Sequence, residues 1–298
     1  MITCKSTREL ERMRHSGRIA ARVLEKLMAA VQPGISTQEV NRYADELIRS
    51  EGATPAFLGY HGFTGSICTS VNEQIVHGIP GPRKLREGDL FKIDIGTCAE
   101  GWFSDTAVTI AVGAISSSAQ RLLEVTKAAL SIAIEKVRPG ARIGDMGQAV
   151  QRYVEGEGYA VVRALVGHGI GTALHEDPPV PNFGRAGTGP QLRPGMVFAV
   201  EPMVNIGTFK VKTLDDKWTV VTEDGSLSAH YEHTVAVTAD GFEILTLADA
   251  EPKPNYIPDM LRTGAAGGQG EGRIAPEQLT KGDQRVARQT PGRVQAVG

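Results

Sequence analysis

The chain repeats one plan at a fixed distance. "VQPGISTQEVNRYADELIRSEG" (residues 31–52) and "VRPGARIGDMGQAVQRYVEGEG" (residues 137–158) align at an offset of 106, so that Val31/Val137, Pro33/Pro139, Gly34/Gly140, Glu51/Glu157 and Gly52/Gly158 coincide. Before the first copy, Leu10, Met13, Ile19, Val23 and Leu27 recur at helical spacing and predict an amphipathic helix over residues 9–30. Pro-Gly breaks it, and Ser36 with Thr37 cap a second helix that runs to about residue 51. A helix pattern precedes the second copy as well. Two copies are too few for a solenoid, which needs about three or more. They fit one domain built from two related halves.

Strand-like stretches follow each helix pair: "DLFKIDIGT", "AVTIAV", "MVFAVEPMV", "WTVVT" and "HTVAVT", rich in β-branched residues and bounded by Gly, Asp or Pro. The expected fold class is α+β, with pseudo-twofold halves sharing one antiparallel sheet that two helix pairs cover. That domain is expected over residues 1–250. Residues 251–298 have almost no periodic apolar content and are expected to be a disordered tail, because they cannot bury enough surface to offset the entropy of ordering. Residues 252–298 carry 7 Lys/Arg against 4 Asp/Glu. That mild excess allows a weak contact with RNA or the ribosome, beside the simpler reading of a solvated appendage.

Composition excludes several classes. The formal net charge of −2 gives no footprint for DNA or another polyanion. The N-terminus lacks the apolar core of a secretion signal, and no stretch approaches eighteen apolar residues, so no membrane span is expected. Three cysteines without C-x-x-C spacing argue against a disulfide framework or a zinc knuckle, and for a reducing, cytoplasmic setting.

Four carboxylates sit inside apolar strand patterns: Asp94, Asp105, Glu201 and Glu232. One buried acid is commonly satisfied by backbone or arginine. Four in one domain call for a cation, because a buried ionised carboxylate is costly unless it is paired or ligates a metal. Asp94 and Asp105 are roughly mirrored about a turn near "CAEG" and are expected to face each other on one side of a hairpin. His168 lies in "GHGIG", where glycines let backbone approach a bound group. One imidazole with four carboxylates suits two adjacent ions of Mn²⁺, Fe²⁺, Co²⁺ or Zn²⁺ and disfavours copper.

"VNEQIVHGIP", "KIDIG…SDTAV", "GHGIG…LHEDP", "AVEPMV" and "SAHYEHT" occur in the order and at the spacing of type I methionine aminopeptidases, which the chain resembles from about residue 5 to residue 247. The resemblance implies the pita-bread fold of the creatinase/prolidase class, whose pseudo-twofold architecture accounts for the repeat. It implies that Asp94 binds one ion through both oxygens, that Asp105 and Glu232 bridge two ions, and that His168 and Glu201 complete the ligand set of the second ion. A water or hydroxide between the ions would be the nucleophile, with Glu201 shuttling its proton to the departing amine. His175 would donate to the scissile carbonyl and its oxyanion, and His77 would contact the peptide beyond the cut. His15, His61, His230 and His233 are read as structural.

The same resemblance places Phe57, Tyr60, Phe63, Cys68, Leu174 and Trp218 around the first side chain, an uncharged and aromatic set suited to a thioether. Two positions depart from many bacterial relatives, which carry a small residue, often Cys, at Phe57 and an aromatic at Leu174. A monovalent-cation site near Asn72 and Ser228 is implied too, as is a monomer acting on nascent polypeptide N-termini with a small second residue. The long insertion of type II enzymes and a zinc-finger extension are both missing. The alternatives on this fold are a prolidase or Pro-aminopeptidase, and a pseudoenzyme binding peptide or RNA. The retained ligand set weighs against the second of these.

Overall fold

The computed structural model describes residues 2–248 and 255–257. Its helices come in two pairs, α1 (Thr7–Ala30) with α2 (Thr37–Ser50) and α3 (Ser117–Glu135) with α4 (Ile143–Gly156). Helices α2 and α4 have the same length, 14 residues, and start at the offset of the sequence repeat. Their start signals match as well. The Glu39 carboxylate accepts from the Ser36 N–H at 2.8 Å, and the Asp145 carboxylate accepts from the Arg142 N–H at 2.7 Å. Each Pro-Gly turn closes on a distant loop, Gly34 N–H on the Leu85 carbonyl (2.8 Å) and Gly140 N–H on the Leu192 carbonyl (3.0 Å). Both glycines have φ near +90°, a conformation that side chains disfavour. The repeat is thus carried by turn chemistry and capping together.

The main sheet has nine strands. Its order runs Thr54–Pro55, Leu90–Ala99, Trp102–Ala111, Glu232–Val237, Val197–Val200, Gly167–Gly169, Glu176–Val180, with every neighbouring pair antiparallel. Cys68–Val71 also pairs with Leu90–Ala99, and Phe242–Ile244 with Glu232–Val237. Alternation sorts side chains between the two faces. Ile93, Ile95, Val108 and Val235 point to one face and join a core with Ile19, Val23 and Leu27 of α1 and Leu122 and Leu130 of α3. Asp94, Asp105 and Glu232 point to the other.

The stretch "MVFAVEPMV" divides. Pro202 has no N–H to give a ladder, so Val197–Val200 stays in the main sheet while Met203–Asn205 pairs with Ser228–His230 in a small second sheet. The facing segment changes sheet at the same level, between His230 and Glu232. Of the stretch expected as a tail, only residues 255–257 fall among the described residues. Ile257 is buried in the main core, and Asn255 exchanges hydrogen bonds with Phe242 at 2.8 Å each way. No helix among the described residues is long and apolar enough to cross a membrane, and the three cysteines are free.

Candidate active site

Five consecutive strands of the main sheet each deliver one acid or imidazole to the same face. Asp94 comes from Leu90–Ala99, Asp105 from Trp102–Ala111, Glu232 from the start of Glu232–Val237, Glu201 from the residue after Val197–Val200, and His168 from Gly167–Gly169. The register places Cys68, Asp94, Ala107 and Glu232 in one row across four strands. Ala107 is the small member, and the acids on either side of it share the space above. The two aspartates are diagonal rather than opposite: Asp94 pairs with Ala107, and Asp105 with Gly96. A two-residue turn at Glu100–Gly101, both at positive φ, sets that register. The expected mirror pairing is therefore corrected by two residues, with the shared face kept.

The ladder to Glu176–Val180 breaks between His168 and Gly169, where the facing strand carries two extra residues, 177 and 178, and regular pairing ends beside the His168 side chain. A side chain at Gly167 or Gly169 would meet the Ala199 or Asp177 carbonyl oxygen, so both positions require glycine. Burial, together with the nearby His175, holds the His168 pKa down to about 3, so the ring is neutral. Nδ1 lies 2.9 Å from the Gly169 carbonyl and must donate to it. The Nε2 lone pair then faces the Glu201 carboxylate at 3.6 Å and that of Asp105 at 3.9 Å.

A lone pair aimed at two carboxylates is repulsive unless a cation lies between them. The carboxyls report the same deficit. Burial pushes the Asp94 pKa up to about 7. Burial and then the neighbouring acids push Asp105, Glu201 and Glu232 well above the usual carboxylate range. Asp94 Oδ1, Asp105 Oδ1 and Glu232 Oε1 are buried without a hydrogen-bond partner among the described residues. Donor atoms of Asp105, His168 and Glu232 lie within 4.8 Å of one another. Oxygen-rich donors, an imidazole tautomer fixed for ligation and orphaned carboxylate oxygens all fit a divalent metal centre.

Above the acids opens a pocket with about 790 Å³ of empty space, its mouth included. All thirteen residues expected at the site line it: the five above, His77, His175, Phe57, Tyr60, Phe63, Cys68, Leu174 and Trp218. Val76, Leu165, Val166 and Met203 line it too, with no sequence signal beyond being apolar. Phe57, Phe63, Cys68 and Leu174 also belong to a core cluster with Met13, Trp102 and Val197, so the wall is pocket and core at once. The Trp218 ring meets Phe63 edge-on, centroids 5.1 Å apart.

The ring of His175 lies 4.0 Å from that of His168, centroid to centroid, and its Nδ1 is 2.7 Å from the Tyr60 hydroxyl. His77 holds φ +59°, uncommon for a side-chain-bearing residue, with its ring edge-on to Trp218 at 6.3 Å. Burial, followed by the nearby His175, lowers its pKa to about 4. The loop that presents His175 is anchored from beneath. Glu176 accepts from the Thr172 N–H (2.8 Å) and from the Lys5 ammonium (2.7 Å).

At the position expected for a monovalent cation, the Asn72 carbonyl accepts from the buried Lys92 ammonium at 2.9 Å and from the Ser228 N–H at 3.2 Å. Of the histidines read as structural, His233 points to the helix face and bonds the Thr246 hydroxyl at 2.9 Å. His230 does not fit that reading. Its Nε2 lies 3.9 Å from Glu232 and 4.0 Å from Glu201.

Comparison with known proteins agrees with this geometry. The family model for metallopeptidase family M24 matches residues 11–239. Methionine aminopeptidase 1 of Bacillus subtilis is 52% identical over 246 residues, which is 83% of this chain and 99% of that protein. The crystal structure of methionine aminopeptidase from Rickettsia prowazekii superposes with a TM-score of 0.82 at 44% identity, covering 83% of this chain and all of that one. Prolidase from Pyrococcus furiosus superposes at 0.67 with 22% identity, over 83% of this chain and 66% of that one, a likeness of fold alone.

Proposed function

The chain belongs to metallopeptidase family M24, and we propose that it is a metal-dependent aminopeptidase that releases N-terminal methionine from polypeptides. One observation carries the proposal: five adjacent strands converge their acids and imidazole at the floor of a pocket whose walls are apolar and aromatic. Asp94, Asp105, His168, Glu201 and Glu232 would hold two divalent ions drawn from manganese, iron, cobalt or zinc. When bound, such ions supply Lewis acidity and activate water for attack on a carbonyl.

The chain's own groups do the rest. Phe57, Tyr60, Phe63, Cys68, Leu174 and Trp218 enclose an unbranched thioether side chain, which is soft enough to fill an irregular aromatic cleft. His175 is neutral, because burial and then His61 lower its pKa. It donates from Nε2 to the carbonyl oxygen as negative charge grows there. Glu201 accepts a proton from the attacking water and returns it to the departing amine. His77, beside Trp218, contacts the peptide after the cut and favours a small second residue.

The test is hydrolysis by the full chain, stripped with a chelator and restored with Co²⁺ or Mn²⁺. Metal-dependent release of Met from Met-Ala-Ser, with Leu-Ala-Ser and Ala-Pro untouched, is the expected result. Cleavage of Ala-Pro alone would move the chain to the prolidase side of the fold. No cleavage with metal bound would leave a peptide-binding module.

A further inference from the structure

His230 is 1% exposed, yet neither ring nitrogen has a hydrogen-bond partner among the described residues. Buried polar groups are almost always paired, so two orphaned nitrogens on one ring need a reason. The residue belongs to the small sheet, opposite Met203. It lies two positions before Glu232, across the step from the small sheet to the main one, and its ring reaches the acids of the main sheet. Its Nε2 is 3.9 Å from Glu232 Oε2 and 4.0 Å from Glu201 Oε2.

Those separations are too long for hydrogen bonds. They are right for donors that share an ion, since two ligands on bonds of about 2.1 Å lie at most about 4.2 Å apart. Glu201 is flanked by both imidazoles, with Oε1 toward His168 (3.6 Å) and Oε2 toward His230. Glu232 Oε1 is itself unpaired. The deficit of positive charge therefore extends behind the five-residue set.

We propose that His230 is a sixth protein ligand, a second nitrogen donor to the divalent ion held by Glu201 and Glu232. The inference rests on the reading of this cluster as a divalent-metal centre. A second imidazole makes the site borderline rather than hard, favouring Co²⁺, Fe²⁺ or Zn²⁺ over Mn²⁺ compared with a single-histidine set.

The test counts imidazoles on the metal. Full-length protein is stripped and reloaded with Co²⁺, and paramagnetically shifted, exchangeable imidazole N–H signals are recorded by proton NMR. Two ligated imidazoles are expected in the wild type and one in His230→Gln. Calorimetry should show Co²⁺ binding weakened by about tenfold or more in the variant, with the metal-free circular dichroism unchanged. A single ligated imidazole in fully loaded wild-type protein overturns the proposal, leaves the aminopeptidase reading intact, and does not depend on the variant folding. Failure of the wild type to bind Co²⁺ at all overturns both.

Discussion

The phenol of Tyr60 decides which nitrogen of His175 carries the proton. Burial raises the Tyr60 pKa, so the hydroxyl stays protonated and donates to Nδ1 of a neutral ring. The hydrogen is left on Nε2, the end that would meet a substrate carbonyl under the proposed function. His175→Ala should therefore lower kcat by roughly 10²–10³, the usual cost of an oxyanion donor, with metal content unchanged. Loss of metal from that variant would show the histidine roles to be misassigned. Tyr60→Phe should cost less, about fivefold for one hydrogen bond of about 1 kcal/mol, and should appear in kcat rather than KM. Glu201→Gln should abolish turnover, checked by peptide release at full metal loading. Most of these residues are legible in the sequence because each stands in a motif or breaks an apolar pattern. His230 is not, since "SAHYEHT" offers two histidines and the one that reaches the acids lies across the step between the two sheets.

At the scale of elements, Glu39 and Asp145 do the same work in the two halves, each receiving a backbone N–H at the start of its helix. Asp145 also receives the Gly187 N–H at 2.7 Å. That bond and the one from Arg142 hold its pKa below the ordinary carboxylate value. A depressed folded pKa gives stability that is fully present above the unfolded value, about 4, and lost as pH falls through the folded one. Asp145→Ala should therefore destabilise by roughly 0.3–1 kcal/mol at pH 7, and the difference should shrink as pH falls below about 4 in urea titrations. A difference that persists at low pH would mean the carboxylate's charge plays no part. The first two helices were legible to within a residue or two, because helical spacing, the Pro-Gly break and the Ser36–Thr37 cap mark them. The division of "MVFAVEPMV" was not. A proline inside an apolar run shows that the ladder breaks, but which sheet the next residues join depends on the distant Ser228–His230 segment.

Across the whole molecule, the site takes two acids from the first half and two acids and an imidazole from the second. Metal binding is therefore linked to the packing of both halves. Metal at 100 times its Kd should stabilise the fold by about 2.7 kcal/mol, and chelation should lower Tm by roughly 5–10 °C in calorimetry. An unchanged Tm would mean that the cluster binds no ion tightly enough to matter. The pseudo-twofold plan was legible from five coincident residues at one offset, whereas the hairpin register was not, because only the turn at Glu100–Gly101 sets it.

The halves meet along more than one seam. Trp102–Ala111 pairs with Glu232–Val237 in register at two positions, Ala107 with Glu232 and Thr106 with His233, Gln74–Val76 pairs with Val220–Thr222, and one core takes side chains from both halves. A nick between the end of that first strand and α3, near residue 114, would leave one fragment with two acids and the other with the remaining three donors. Each fragment would be silent alone and active only on reunion. Restored peptide cleavage on mixing the two fragments would therefore signal that the shared core had been assembled from two chains.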